Sequence, residues 1–319
     1  MKVLFWGTPE FAAPPLRALL GEGFEVVGVV TQPDRPQGRS RSSLVASPIK
    51  QIALEEAIPV LQPEKPRGAE FLEAIRGLGA DISVVVAYGH ILPRDVIDLP
   101  RLGTLNIHAS LLPQWRGAAP IQAAIRSGQT ETGVTIMRMV KELDAGPILL
   151  QVPTPIPHDE TYGELQLRLS ELGALALIEA LSLLDIGKMV EQPQDDALAT
   201  FAPKIEREDA RIDWSRAASD VGCVVRAFDP KPGAFTTLHG TEVKLFGARP
   251  WPHSSDASAE QDAAPGTIVA IDDAGAIVAC GNGVVRITDA QPAGKRRLSV
   301  AELARGRGVR VGDRLGEAG

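Results

Sequence analysis

The sequence has few cysteines and no long apolar run. Its two cysteines, Cys223 and Cys280, do not form a Cys-x-x-Cys pair, which argues against a zinc site and against a disulfide framework. No apolar stretch approaches the roughly 18–20 residues that a membrane-spanning helix needs. The first residues, MKVLFWGTPEF, lack the apolar region and cleavage site of a signal peptide. We therefore expect a cytoplasmic protein without a metal ion and without membrane contact.

The sequence also lacks an excess of basic residues. Residues 1–206 contain 18 Lys and Arg against 25 Asp and Glu, and residues 207–319 contain 15 of each. This balance argues against general nucleic-acid binding, DNA included, although local clusters can still create a positive field. Solvated surface charge and a nucleic-acid contact explain such clusters equally well. Two clusters occur, namely Arg35, Arg39 and Arg41 in one loop, and Lys295, Arg296 and Arg297 near the end.

A nucleotide-binding turn is missing after the first predicted strand, Lys2–Trp6. The residues that follow, Gly7-Thr8-Pro9-Glu10, differ from the Gly-x-Gly-x-x-Gly fingerprint. Pro9 removes a backbone donor, and Glu10 places a carboxylate close to where a pyrophosphate would bind. Thr8 and Pro9 instead have the residue types that cap and begin a helix. NAD and ATP are therefore not expected as ligands.

The first half does contain a regular alternation of strand and helix patterns. Apolar β-branched runs are typical of parallel strands covered on both faces, and helix start signals such as Ser47-Pro48 lie between them. Strands separated by helices predict right-handed βαβ units and a mostly parallel sheet. Residues 1–184 are thus predicted to form a Rossmann-like α/β domain. Its predicted strands are Lys2–Trp6, Glu25–Thr31, Pro59–Gln62, Asp81–Tyr88, Leu105–Ala109 and Val134–Met139.

The second half has a different pattern. Residues 185–206 are polar, contain prolines and show no period, which predicts a linker. In residues 207–319, about five short strands separated by Gly- and Asp-rich turns predict a small OB-like β-barrel.

The stretch Gly103–Gly117, GTLNIHASLLPQWRG, combines a strand end with polar side chains. Asn106 and His108 are two residues apart on a predicted strand, so both side chains point to one face, about 7 Å apart. Ligands of open α/β sheets bind outside the carboxyl ends of the strands, which is where this pair lies. An amide donor and a titratable ring directed at one point suit a reaction at a carbonyl group.

Each of these residues has a simpler explanation when taken alone. An asparagine at a strand end often caps backbone groups, a single histidine is more often structural, and Asp144 before Ala-Gly-Pro is typical of a turn. His108-Ala109-Ser110 hints at a serine hydrolase, but a Gly-x-Ser-x-Gly turn is absent. His108 and Asp144 could also be metal ligands, but the sequence has no second histidine at metal-ligand spacing. The residues alone leave these alternatives open.

The order of motifs along the chain provides a further argument. GTPEF, TQPDRPQGR, VVVAYGHILP, LNIHASLLPQWRGAAPI, ETGVTIM, LDAGPIL, ARIDW and QPAGK follow one another across nearly the whole sequence. By these motifs the sequence resembles the 10-formyltetrahydrofolate-dependent formyltransferases. Asn-x-His followed by Ser-Leu-Leu-Pro, with Asp-x-Gly further along, resembles the catalytic signature of that family. ARIDW and QPAGK are similar to motifs of the members that act on methionyl-tRNA.

The resemblance implies transfer of a formyl group from 10-formyltetrahydrofolate, a co-substrate, to the free amine of methionyl-tRNA, the initiator in particular. Asn106, His108 and Asp144 would be catalytic: Asn106 would donate to the oxyanion of the tetrahedral intermediate, and Asp144 would orient His108 or accept the proton of the amine. The alternative is transfer to a small amine such as an amino-sugar nucleotide. The folate would lie against Val86, Ala87, Tyr88 and Gly89, and against Ser110, Leu111, Leu112 and Pro113.

For tRNA, the resemblance implies that the loop Gln32–Ala46 grips the acceptor end and that residues 207–319 form a tRNA-binding domain. Ser42, Ser43 and Gln114 stand where basic residues are frequent in the family, which leaves the strength of the grip open. A monomer is expected. The implied contacts are Arg35, Arg39, Arg41, Trp115, Arg116, Lys295, Arg296 and Arg297.

Overall fold

The computed structural model describes residues 1–37, 43–250 and 263–317. Contacts between residues divide the chain into two compact units. The first comprises residues 1–117, 133–154 and 166–201, and the second comprises residues 118–132, 155–165 and 202–319. These units interleave along the chain, whereas the predicted domains follow one another, with boundaries at residues 184 and 207. Those boundaries stay a prediction.

A seven-stranded sheet forms the centre of the first unit. In chain order, the strands up to residue 202 are β1 (Lys2–Gly7), β2 (Glu25–Val30), β3 (Arg35–Gln37), β4 (Ser43–Val45), β5 (Val60–Leu61), β6 (Ile82–Val86), β7 (Thr104–His108), β8 (Arg116–Gly117), β9 (Glu131–Arg138), β10 (Ile148–Pro155) and β11 (Phe201–Ala202). The sheet order is β10-β9-β7-β6-β1-β2-β5. The pairs from β7 to β5 are parallel, and β9 is antiparallel to β7. The predicted Rossmann-like, mostly parallel sheet is therefore confirmed.

Helices connect these strands along the chain. They are α1 (Ala13–Gly21), α2 (Pro48–Glu55), α3 (Ala69–Gly77), α4 (Arg94–Ile97), α5 (Pro120–Arg126) and α6 (Tyr162–Asp185). On α6, Gly173 lies so close to Ile107 of β7 that a Cβ atom there would meet Ile107 Cγ2 at 2.9 Å. The α6 face thus covers the side of β7 that carries Ile107. No helix within the three described ranges is both long and apolar enough to cross a membrane.

Two predicted helix starts have different outcomes. Ser47 caps α2, because its Oγ accepts the Lys50 N–H at 3.1 Å. The capping role predicted for Thr8 is wrong: its hydroxyl donates to Tyr88 O at 3.1 Å and accepts the Gln32 N–H at 3.3 Å. Thr8 follows β1, Gln32 follows β2 and Tyr88 follows β6, so this hydroxyl joins three strand ends instead of starting a helix.

Residues 185–206, predicted as a linker, carry ordered elements. Gln192 and Ile148 exchange both backbone hydrogen bonds at 2.8 Å, and a 3-10 turn, Asp196–Leu198, is capped by Asp195, whose Oδ1 accepts the Ala197 N–H at 3.0 Å. The Arg116 N–H donates to Thr200 O at 2.9 Å. Because backbone groups hold this segment in place, its side chains need no helix or strand period.

The second unit contains an antiparallel sheet. Its strands are β12 (Ala234–Leu238), β13 (Thr241–Pro250), β14 (Ile268–Asp272), β15 (Gly275–Ala279), β16 (Val284–Pro292) and β17 (Leu298–Ser299), with helices α7 (Ala218–Ala227) and α8 (Val300–Arg305). The order is β12-β13-β16-β15-β14, and β17 pairs with β16. Leu315 N donates to Gly266 O at 2.8 Å and Gly316 N donates to Thr237 O at 2.9 Å. The segment around Leu315 thus bridges both edges of the sheet, as the predicted barrel requires.

Candidate active site

The carboxyl end of β7 carries Asn106 and His108. The strand register places Asn106 beside Val85 of β6, and His108 beside Thr135 of β9. Ile107, between them, is directed to the α6 side, so Asn106 and His108 share the opposite face. His108 is 5% exposed and Asn106 is partly buried. The predicted juxtaposition of an amide and an imidazole is present.

His108 and Asp144 lie side by side. His108 Nε2 is 2.9 Å from Trp115 O, and because a carbonyl oxygen only accepts, the ring proton of this bond is on Nε2. The other ring nitrogen, Nδ1, faces Asp144 Oδ2 at 3.8 Å. Asp144 Oδ2 also accepts the Gly117 N–H at 2.8 Å. The carboxylate is thus held by the backbone of the loop that also binds the imidazole.

The loop Ser110–Pro113 is fixed by side chains of β9 and β10. Thr135 Oγ1 donates to Ser110 O at 2.6 Å and accepts the Leu112 N–H at 3.1 Å. Gln151 Nε2 donates to Leu112 O at 2.8 Å. Several backbone groups of the loop are therefore already bonded within the chain, which makes the loop a rigid wall beside His108. Contact of Ser110, Leu111, Leu112 and Pro113 with folate stays a prediction.

The segment Val86–Gly89 follows β6 at the same sheet edge. Ala87 and Gly89 have φ values of 48° and 87°, and both are exposed, whereas the Tyr88 ring is buried against Trp6, with ring centroids 5.3 Å apart. Burial raises the pKa of Tyr88 to about 12, so its hydroxyl stays neutral at physiological pH. The exposed residues Ala87 and Gly89 could offer backbone hydrogen-bonding groups to the pterin ring of a folate, and a folate contact at Val86–Gly89 stays a prediction.

The arginines that the sequence predicts as tRNA contacts in the first unit differ in burial and in hydrogen bonding. Arg39 and Arg41 are outside the described residues. Arg35 begins β3 and donates to the side-chain oxygen of Gln32. Arg116 is 5% exposed, and its guanidinium donates to Gln194 Oε1 at 3.0 and 2.8 Å and to Asp196 Oδ1 at 2.7 Å. Arg116 therefore points into its own chain.

The basic cluster of the second unit is also divided. Lys295 and Arg296 are exposed. Arg297 donates to Asp229 Oδ1 at 2.9 Å and to Asp289 Oδ2 at 3.1 Å, and its guanidinium lies 4.2 Å from the centroid of the Phe246 ring. These contacts support a structural role for Arg297. A tRNA contact at any of the three residues stays a prediction.

Four residues that hold the site were missed by the sequence analysis: Thr135, Gln151, Gln194 and Thr200. Thr200 Oγ1 accepts the Trp115 N–H at 2.9 Å. Gln194 Nε2 donates to Asp144 O and to Gly146 O, both at 2.8 Å. The Gln194 contacts with Arg116 and Asp144 span 78 and 50 sequence positions, and a polar segment without a period carries no signal for them.

The site offers three chemical groups: Asn106 and His108 on one face of β7, and Asp144 beside His108. Asn106 supplies N–H donors, His108 a ring that can carry protons, and Asp144 a carboxylate. In the described part of the chain, no three His, Cys, Asp or Glu side chains are grouped to hold a metal ion. This set can stabilise an oxyanion and move protons, which is what acyl or formyl transfer to an amine requires.

The fold and the site thus define a group transferase that acts at a carbonyl carbon. A family model described as "Formyl transferase" matches residues 1–181, and one described as "Formyl transferase, C-terminal domain" matches residues 204–308. Together the two matches cover most of the chain.

Curated relatives are similar over nearly the whole length. The methionyl-tRNA formyltransferase of Pseudomonas fluorescens is 48% identical over 303 residues, covering 95% of this chain and 93% of the relative. That of Thiobacillus denitrificans is 47% identical over 316 residues, covering 99% and 100%. The chain belongs to the formyl transferase family, among the methionyl-tRNA formyltransferases.

A solved structure shares the fold. HypX from Aquifex aeolicus in complex with tetrahydrofolic acid is 22% identical, with a TM-score of 0.67, over 95% of this chain and 46% of the HypX chain. The chain thus spans about half the length of HypX. At this identity the similarity concerns the fold alone.

Proposed function

We propose that the chain transfers the formyl group of 10-formyltetrahydrofolate to the free amine of methionyl-tRNA, the initiator in particular. The observation that carries the proposal is the placement of Asn106, His108 and Asp144 at the carboxyl end of β7. The names of the relatives that are 47–48% identical over nearly the full chain support formyl transfer and methionyl-tRNA as the acceptor.

The reaction requires a stabilised oxyanion. The methionyl amine attacks the formyl carbon to give a tetrahedral intermediate, which collapses with cleavage of the bond between that carbon and folate N10. The carbonyl oxygen gains negative charge on the way. The Asn106 carboxamide is the side chain that would donate to this oxygen, and loss of such a donor costs about 10²–10³ in rate.

The reaction also moves two protons, because the amine loses one and N10 gains one. His108 and Asp144 are the groups that would carry them. The bond between His108 Nε2 and Trp115 O fixes the ring so that Nδ1 faces the Asp144 carboxylate. A proton taken from the amine can be held by this pair and then delivered to N10. Positioned acid–base groups contribute about 10²–10⁴ in rate.

The folate is placed between Val86–Gly89 and Ser110–Pro113 in this proposal. Exposed backbone at Ala87 and Gly89 supports contact with the hydrogen-bonding edge of a pterin. The rigidity of Ser110–Pro113 supports a fixed position of the formyl carbon relative to His108, because a preformed wall lowers the ordering cost of binding.

The proposed tRNA contacts rest on exposed arginine and lysine side chains. Arg35, Lys295 and Arg296 are exposed, and Arg39 and Arg41 belong to the same predicted loop as Arg35. Trp115 would lie beside the methionyl end. The intrachain bonds of Arg116 and Arg297 support positioning roles for these two residues instead of phosphate contacts.

The test is a comparison of acceptors. With 10-formyltetrahydrofolate as donor, purified protein is incubated with charged initiator tRNA, charged elongator methionyl-tRNA or an amino-sugar nucleotide, and the formylated product is quantified by mass spectrometry. We expect the initiator to have the highest kcat/KM. Formylation of the sugar amine without formylation of either tRNA would contradict the proposal and support the small-amine alternative.

A further inference from the structure

Gln194 uses all of its hydrogen-bonding groups within the chain. Its Nε2 donates to Asp144 O and to Gly146 O, each at 2.8 Å. Its Oε1 accepts from Arg116 Nε at 3.0 Å and from Arg116 Nη2 at 2.8 Å. Carbonyl oxygens only accept and a guanidinium only donates, so these partners fix the orientation of the amide. The side chain thus joins two loops that are far apart in sequence.

Both of these loops hold the reacting side chains. One contains Asp144. The other, Trp115–Gly117, accepts His108 Nε2–H at Trp115 O and donates the Gly117 N–H to Asp144 Oδ2. Gln194 therefore connects the loop that carries the carboxylate with the loop that fixes both the carboxylate and the imidazole.

The backbone of the two loops needs such support. Asp144 and Trp115 have φ values of 49° and 60°, in the left-handed region that residues with a Cβ atom rarely adopt. Conformations of this kind persist only where surrounding contacts impose them. Gln194 bonds the carbonyl of Asp144 directly, and it reaches the second loop through Arg116, the neighbour of Trp115.

We propose that Gln194 is a positioning residue for the transfer step, setting the distance between Asp144 Oδ2 and His108 Nδ1 by holding the two loops together. The proposal rests on the formyl transfer proposed above. It predicts that loss of Gln194 lowers kcat and leaves KM for both substrates nearly unchanged, because the four bonds of Gln194 go to Asp144, Gly146 and Arg116, and Arg116 is buried and bonded within the chain.

The first test uses three variants of the full chain. Gln194→Ala removes all four bonds. Gln194→Glu keeps an acceptor for Arg116 but replaces the carboxamide N–H donors by a carboxylate oxygen that faces Asp144 O and Gly146 O. Gln192→Ala, an exposed glutamine two positions earlier, is the matched control. In single-turnover transfer to charged initiator tRNA, we expect both Gln194 variants to lose about 10- to 100-fold in rate and the control to keep it. Wild-type rates in Gln194→Glu would overturn the proposal.

A second test separates positioning from a general loss of structure. Residues that act through one another show non-additive effects in a double-mutant cycle. In an Asp144→Asn background, Gln194→Ala should lower the rate less than about twofold, because the group that it positions is already lost. An equal fold-loss in both backgrounds would overturn the proposal.

A third measurement does not depend on the substrate. In NMR spectra of protein labelled at histidine, the His108 ring signals should change position in Gln194→Ala and stay as in wild type in Gln192→Ala. Unchanged His108 signals in Gln194→Ala would overturn the positioning role. Absence of transfer by the wild-type protein together with changed His108 signals would instead contradict the proposed function.

Discussion

Asp144 is held in place by its backbone and by two hydrogen bonds. Its backbone is left-handed, with φ of 49°, its Oδ2 accepts from Gly117, and its carbonyl accepts from Gln194. Asp144→Asn keeps the size and tolerates this backbone region, but it removes the negative charge that faces His108. We expect the rate constant of formyl transfer, measured in single-turnover experiments, to fall about 10²–10³-fold, which is within the range for the loss of an acid–base group.

Glu142→Gln is the matched control for this variant. Glu142 lies two positions earlier in the same loop and is exposed, so neutralising it changes the loop charge equally. It should keep the wild-type rate. Equal losses in Glu142→Gln and Asp144→Asn would show that the charge of the loop matters and not the contact with His108.

Arg297 and its two basic neighbours should respond differently to alanine substitution. Arg297→Ala leaves Asp229, whose side chain is 7% exposed, with the Gly247 N–H as a remaining partner. We expect the free energy of unfolding to fall by about 1–2 kcal/mol, a modest loss because Arg297 is partly exposed. Lys295→Ala and Arg296→Ala should change it by less than about 0.5 kcal/mol. Urea unfolding of the three variants measures this, and equal stabilities would contradict the structural role of Arg297.

At the residue scale, the sequence predicts which side chains share a face but not which side chains meet over long distances. The two-residue period placed Asn106 and His108 together. No period relates either of them to Asp144, which was included by resemblance, or to Gln194. Residue type could not show that Lys295 is exposed while Arg297 is bonded within the chain. The acceptors of Arg297, Asp229 and Asp289, are brought to it by tertiary packing.

Among the elements, β9 links sheet and site through Thr135. Its buried hydroxyl bonds Ser110 O and Leu112 N. Thr135→Val leaves the Leu112 N–H without this acceptor, and an unsatisfied buried group costs about 1–3 kcal/mol. We expect the free energy of unfolding to fall by this amount and KM for the folate donor to rise, since the loop Ser110–Pro113 then loses two bonds and keeps the bond from Gln151 to Leu112 O.

Thr132→Val is the control for the Thr135 variant, on the same strand. The Thr132 hydroxyl is buried, and within the described residues it has no hydrogen-bond partner. Its replacement by an apolar group of the same shape should leave stability unchanged or raise it. Chemical denaturation of both variants measures the difference. A loss in Thr132→Val as large as that in Thr135→Val would contradict the anchoring role.

Element types were largely predictable because the patterns are local. The parallel strands are apolar and β-branched, and Ser47-Pro48 does start α2. The antiparallel direction of β9 could not be predicted, since strand direction depends on the path of the connecting segment. The prediction that Thr8 caps a helix was wrong for a similar reason. Its hydroxyl forms hydrogen bonds with Gln32 and Tyr88, which follow other strands, and these tertiary contacts outweigh the local capping preference.

For the whole molecule, the formal charge of −7 contrasts with a polyanionic substrate. If the exposed cations bind phosphates, KM for tRNA should rise steeply with salt, while KM for the folate donor should change little. Arg296→Ala, which removes one exposed cation, should reduce the slope of log KM against log salt concentration by about one. Arg94→Ala, an exposed arginine paired with Asp98 on α4, should leave it unchanged. A slope near zero for the wild type would contradict phosphate contacts.

The catalytic roles of Asn106 and His108 are tested most directly by the single-turnover rate of formyl transfer from 10-formyltetrahydrofolate to charged initiator tRNA in Asn106→Ala and His108→Ala. Circular dichroism should first verify that both variants are folded. We expect a rate about 10²–10³-fold below wild type for Asn106→Ala and about 10²–10⁴-fold below wild type for His108→Ala. Wild-type rates in both folded variants would contradict these catalytic roles.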